Sequence, residues 1–194
     1  MFVSAVILAA GNARRMGKLK QVLPCRGEAL VHRAARTALE AELVPVVVVV
    51  GAEAGRVARA VADLPVRIVY NPHWAEGQST SVRAGLAALP KGVDGAVFLP
   101  ADQPFITAEV LHALVEGLNA GAQVVAPEVR GHITSPVLFS AALFGELAAL
   151  EGDRGGRALF HRYPPLRIGW HDPRLAVDVD SPEDYERWCG VGRQ

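Results

Sequence analysis

Four cations fall within residues 14–20, namely Arg14, Arg15, Lys18 and Lys20, and no acidic residue precedes Glu28. The chain carries three lysines against seventeen arginines, and two of those three stand in this loop. Just upstream, Leu8-Ala9-Ala10-Gly11 closes an apolar run that begins at Val3, leaving backbone N–H groups almost unshielded by side chains. A phosphate approaches such a turn closely, and cations beside it neutralise a polyanion. Two further stretches carry carboxylates. Pro100-Ala101-Asp102-Gln103-Pro104 holds an aspartate between prolines at the end of another apolar run. Asp178-Val179-Asp180-Ser181-Pro182 places two aspartates on one face if the segment is extended. Carboxylates beside a polyphosphate bind Mg²⁺. Brought together without a cation, they repel. The blander use of the same residues is capping, since Pro182 is suited to start a helix behind Asp180 or Ser181.

Two familiar phosphate loops are excluded. In G-x-x-x-x-G-K-[ST] the spacing from Gly11 to Gly17 would be one residue too long, and Leu19 stands where a hydroxyl is needed. In G-x-G-x-x-G the third and sixth positions would be Ala13 and Met16.

Two more polar stretches lie between apolar runs. The segment from Asn71 to Ser81 has Gly77 in mid-loop and can bond a base or ribose through Gln78, Ser79 and main-chain groups. It is equally a capped helix start with surface polars. Arg130-Gly131-His132 and the run Gly152-Asp153-Arg154-Gly155-Gly156-Arg157 together suggest a second anion site, the latter as a glycine-rich helix start. Two surface turns would look the same.

The elements that must position these residues alternate. Strand patterns fall at 3–8, 46–50, 66–70, 93–99, 123–126, 136–139, 166–170 and 176–179. Helical spacing falls at 29–39, 53–64, 79–89, 108–118, 141–150, 156–161 and from 182 onward. Such alternation predicts a three-layer α/β sandwich, a mostly parallel, Rossmann-like sheet with helices on both faces and ligands beyond the carboxyl ends of its strands. The 194 residues suit one domain spanning 1–194. Lys+Arg and Asp+Glu both number 20, so no global field draws in nucleic acid or a membrane surface. No leader or spanning run is visible. Cys25 and Cys189 lack metal-site or redox-pair spacing and read as free thiols in a reducing, cytoplasmic setting.

The pattern L-A-A-G-x-x-x-R-M-G-x-x-K-x-x-L-P is carried by Leu8-Ala9-Ala10-Gly11, Arg15-Met16-Gly17, Lys20 and Leu23-Pro24. It resembles the nucleotidyltransferases that move a nucleoside monophosphate onto a phosphorylated acceptor, and among them the molybdopterin cytidylyltransferases. The resemblance covers about residues 3–188. It implies Lys20 and Arg15 as catalytic residues, and a nucleotide pocket of Leu8, Ala9, Ala10, Gly11, Arg15, Lys20, Asn71, Gly77, Gln78 and Ser79. It further implies Mg²⁺ on Asp102 and Asp180, with Asp178 less firmly placed, and acceptor contacts from Arg130, His132, Asp153 and Arg154. The implied partners are CTP, molybdopterin and, transiently, a molybdoenzyme or its chaperone. Ala10 points to cytidine, because the guanine-using branch tends to read L-A-G-G. GTP, a sugar-phosphate acceptor, and a regulatory module that binds nucleotide without turnover remain the alternatives. The family's G-H-P is interrupted here by Ile133-Thr134-Ser135, which bears on the acceptor's identity.

With Arg15 gripping the outer phosphates as a fork, Arg15→Ala should weaken nucleoside triphosphate binding far more than monophosphate binding. Equal losses in calorimetry would refute that role.

Overall fold

A computed structural model describes residues 1–12 and 19–190. The strands are β1 (Val3–Ala9), β2 (Pro24–Cys25), β3 (Glu28–Ala29), β4 (Val46–Val50), β5 (Arg67–Tyr70), β6 (Gly95–Pro100), β7 (Val124–Val129), β8 (His132–Ile133), β9 (Val137–Ser140) and β10 (Leu166–Gly169). The helices are α1 (Leu30–Glu40), α2 (Ala54–Arg59), α3 (Gln78–Ala87), α4 (Ala108–Asn119), α5 (Phe144–Ala148) and α6 (Pro182–Cys189). The main sheet runs β10-β7-β9-β6-β1-β4-β5, with β8 paired to β7 and β9 antiparallel to both its neighbours. The other pairings along the order are parallel.

Burial on both faces explains the composition of the central strands. All five valines of β4 are buried, and they divide between two cores. Val46, Val48 and Val50 join Ala5 and Ile7 of β1 under α1, α2 and α4. Val47 and Val49 join Val6 on the opposite face, under α3 and α5. Period-two alternation thus fills two apolar layers from one strand. β-Branched side chains suit that pleated surface.

The chain winds outward from β1 to β4 and β5, then returns to lay β6 on the other side of β1. Between the carboxyl ends of β1 and β6 the connections diverge, which opens a crevice. The register pairs Leu8 with Pro100, so the turn after β1 and the Asp102 loop start side by side.

Three expectations change. Residues 176–179 form no strand. A 3-10 turn, Pro173–Ala176, is capped by Asp172, and the chain beyond it bonds a loop rather than a sheet edge, Val179 N–H donating to Asp102 O at 3.0 Å. Residues 156–161 give only the 3-10 turn Gly156–Leu159. Such a short turn offers no helix N-terminus to an anion. Cys25 and Cys189 are not free thiols but a disulfide across a separation of 164 residues. Local spacing carries no sign of that pairing. It arises because β2 and α6 meet in a small buried cluster with Leu30 and Val179.

Among the described residues no helix is long and apolar enough to cross a membrane.

Helix α3 approaches the sheet through Gly85, where an added Cβ would lie 2.4 Å from Val6 Cγ1. Gly85→Ala should therefore destabilise the protein by about 1–3 kcal/mol through overpacking. Denaturant unfolding with an unchanged midpoint would show that this contact relaxes freely.

Candidate active site

Three segments converge at the crevice. Lys20 opens a 3-10 turn, Lys20–Val22, after the small-residue loop; Asp102 follows β6; and Asp180 directly precedes the N-cap of α6. The Lys20 ammonium donates to both carboxylates, to Asp102 Oδ2 in a close ion pair and to Asp180 Oδ1 at 2.7 Å. Two such bonds to one nitrogen put the bonded oxygens within about 6 Å of each other.

Burial alone would lower the Lys20 pKa. Attraction to Asp102 and hydrogen bonds to both aspartates outweigh it, and the ammonium is held above its ordinary value. The expected repulsion between Asp102 and Asp180 is thus corrected. Lys20 supplies the positive charge between them.

Asp102 and Asp180 also lie on the boundary of two adjoining cavities. The first, about 720 Å³, is lined by Leu8, Ala10, Gly11, Lys20, Gly77 and Gln78, together with Gln21 and Trp74. The second, about 520 Å³, shares Leu8, Gln78, Asp102 and Asp180 with it. Its apolar wall is Phe98, Val137, Phe139 and Leu147, and its polar groups include Gln103, Ser135, Arg154, Arg157 and Asp178.

The segment between β5 and α3 is braced from within. Asn71 Nδ2 donates to Thr80 Oγ1 at 2.8 Å and to Ser81 Oγ at 3.0 Å, while its Oδ1 accepts from His73 N–H at 3.0 Å. Asn71 is therefore a buried tie that shapes the loop and does not line the cavity. Ser79 is likewise fully buried, its N–H donating to Gly152 O at 3.1 Å. Ala9 is buried in β1. Gly77 has φ +120°, and a Cβ there would lie 2.3 Å from the Gly152 carbonyl, so the two loops touch backbone to backbone. Asp153 accepts from Gln78 N–H at 3.3 Å and stands in the first cavity rather than the second.

Of the other predicted acceptor residues, Arg154 lines the second cavity, whereas Arg130 and His132 line neither. Arg130 and Gly131 both have positive φ and form the tight turn between β7 and β8. Ser135, from the unexpected insertion, faces the second cavity, where Arg157 donates to its Oγ at 3.3 Å. Asp178 lines the second cavity with Asp180 but is tied to a different partner. It bonds Gln103 Nε2 at 2.8 Å, and burial, reinforced by Asp102 and Asp180, raises its pKa. Arg15 lies outside the described residues.

Arg157, from the glycine-rich run expected to form a second anion site, lines the second cavity, whereas Gln21, Trp74, Gln103 and Ser135 were not singled out as cavity residues. Trp74 had a signal in Gly51, where a Cβ would lie 2.6 Å from Trp74 Cβ and 2.8 Å from Ala10 O, but a glycine after a valine run reads only as a strand end. Gln21 is buried and donates to Gly11 O at 2.8 Å, holding the turn after β1.

Among the described residues no group of three or more Asp, Glu, His or Cys side chains is placed to hold a metal ion by itself. Two carboxylates open to both cavities nevertheless fit Mg²⁺, which is commonly held by one or two carboxylates and completed by phosphates and water.

Because Asp102 is bonded to Lys20 in the unliganded protein, Asp102→Asn should lower stability at neutral pH by about 1 kcal/mol, allowing for partial exposure. Asp180→Asn should cost less, since the Asp180 side chain is 52% exposed. A stabilised Asp102→Asn variant in chemical denaturation would restore the repulsive view of the pair.

Comparison with known proteins agrees with this architecture. The chain is 33% identical to the purine catabolism protein PucB of Bacillus subtilis and 34% identical to nicotine blue oxidoreductase of Paenarthrobacter nicotinovorans, each match covering 95% of both chains. Identity to the molybdenum cofactor cytidylyltransferase of Escherichia coli is 22%, over 94% of this chain and 93% of that one. The structure of Rv0371c from Mycobacterium tuberculosis in complex with manganese superposes with a TM-score of 0.84 at 26% identity, covering 99% of this chain and 100% of that one. The model of the MobA-like NTP transferase domain matches residues 5–167. The chain belongs to the MobA-like NTP transferase family and is a nucleotidyltransferase by fold and sequence.

Proposed function

We propose that this protein, as one domain over residues 1–194, transfers CMP from CTP to the terminal phosphate of molybdopterin in the cytoplasm, with Mg²⁺ and release of pyrophosphate. The observation that carries the transfer chemistry is the Lys20–Asp102–Asp180 cluster on the boundary shared by two adjoining cavities. A donor in one cavity and an acceptor in the other would meet at that cluster. The cytidine and molybdopterin assignments rest on the sequence pattern around Ala10 and on similarity to the Escherichia coli cytidylyltransferase.

A phosphate acceptor already carries an anionic oxygen, so no protein nucleophile is needed. The protein's work is to align two polyanions and to stabilise charge growing on the α-phosphate and the leaving pyrophosphate. Leu8, Ala10, Gly11, Gly77 and Gln78 shape the nucleotide side. Lys20 turns from its aspartates to the α-phosphate, and Arg15 holds the outer phosphates. Asp102 and Asp180 would hold the metal. A Mg²⁺ ion held there would supply charge neutralisation to the phosphates. On the acceptor side Arg154 would meet the anion beside an apolar wall, with Asp153 supporting the wall between the cavities. Arg130 and His132 line neither cavity and are given no part in this proposal.

The test is pyrophosphate release with Mg²⁺, molybdopterin and each nucleoside triphosphate in turn. CTP should be preferred, and Lys20→Ala should lose about a hundredfold or more in turnover while remaining folded, as expected for one lost transition-state donor. Preference for GTP would reassign the base. Tight binding without turnover would reduce the protein to a nucleotide-binding module.

A further inference from the structure

Behind the Lys20–Asp102–Asp180 cluster, a second set of contacts fastens together the three segments that supply it. Cys25, on the loop that carries Lys20, is joined to Cys189 at the end of α6. Tyr185 Oη of α6 donates to Pro24 O at 2.6 Å. The Phe105 ring, on the Asp102 loop, meets Trp188 of α6 edge to face with centroids 5.6 Å apart, and Arg26 lies over the same ring at 5.2 Å. Val179 packs against the disulfide and donates its N–H to Asp102 O at 3.0 Å. At the head of α6 the Asp184 carboxylate accepts from the Asp180 and Ser181 N–H groups at 3.3 and 3.0 Å. The position of α6 therefore sets that of Asp180, and the disulfide ties α6 to the Lys20 loop.

We propose that the Cys25–Cys189 disulfide is a redox-responsive clamp on the nucleotide site. The oxidised pair keeps Lys20 and Asp180 in register, and reduction lets α6 release and weakens triphosphate binding. Reduction needs a dithiol. One of its thiolates attacks a cystine sulfur, breaking the Sγ–Sγ bond and forming a mixed disulfide. The second thiolate resolves that intermediate. Two electrons and two protons pass to Cys25 and Cys189, and the reductant leaves as its own disulfide. Both sulfurs are buried, Cys25 being 1% and Cys189 3% exposed, so attack requires local opening. Helix α6 is eight residues long, and opening it exposes the bond without unfolding the sheet. In a reducing compartment a disulfide of this kind is transient and suited to sensing.

The clamp is read first without any ligand. Hydrogen–deuterium exchange of oxidised protein and of protein reduced with dithiothreitol should differ at residues 19–25 and 177–189, with faster exchange when reduced and no change in β1, β4 and β6. The effect on binding rests on the nucleotidyltransferase reading above. Mg²⁺–CTP should bind the reduced protein at least about fivefold more weakly. By reciprocity, saturating Mg²⁺–CTP should shift the disulfide's equilibrium with dithiothreitol toward the oxidised form by the same factor. Cys25→Ser/Cys189→Ser should match the reduced protein and ignore dithiothreitol. If that variant does not fold, the reversible wild-type titration gives the same answer.

Unchanged exchange in those segments overturns the clamp, whatever the ligand does. So does equal affinity in both redox states, or global unfolding on reduction, which would make the bond a structural staple. Altered exchange with no triphosphate binding by the oxidised protein would instead refute the nucleotide site and leave no function for the clamp to control.

Discussion

One ammonium group between two carboxylates holds the candidate site together. Lys20 bonds Asp102 and Asp180, which come from loops far apart in the chain, and its charge lets them stand together in a partly buried crevice. Without it, two carboxylates at that separation would disfavour each other's ionisation. With it, part of the pair's negative charge is offset and the cluster is held in place. A lysine suits this post better than an arginine. Its compact ammonium sits on a flexible stem and can turn toward a newly arrived anion, whereas a guanidinium fork is fitted to a fixed planar partner.

The sheet makes that cluster possible. β1 and β6 are parallel neighbours whose connections leave in different directions, so their carboxyl ends hold a crevice open. Buried valines, alanines and leucines on both faces keep those strand ends fixed. Around the crevice, backbone contacts at Gly51 and Gly77 bring Trp74 and the 152–153 loop to the cavity wall, at distances that any side chain would block. The result is two cavities with a charged boundary. Their separation owes as much to close backbone packing as to any polar side chain.

The disulfide adds covalent support to an arrangement otherwise held by a few weak contacts. Helix α6 has little core of its own, and its residues Tyr185, Trp188 and Cys189 all lean on the Lys20 and Asp102 loops. A short terminal helix with so few buried groups is among the more easily opened parts of a fold. Its attachment to Asp180 makes site geometry depend on a short helix with few buried groups.

The amino-acid sequence by itself determined the alternation of elements, the two-faced burial of the valine-rich strands, and the concentration of cations after β1, because those depend on local composition and periodicity. Lys20, Asp102 and Asp180 were legible for the same reason: each stands at a strand end or helix start marked by glycine or proline. Tertiary structure decided what spacing cannot encode. It paired Cys25 with Cys189 across 164 residues, set Lys20 between the two aspartates, and sent Asp178 to Gln103 in the second cavity. It also turned Asn71 inward, because that amide had buried hydroxyls to bond and no route to the cavity. Such pairings are fixed by which polar groups are left without water once the sheet has closed, and that is a property of the packed molecule rather than of any stretch of its chain.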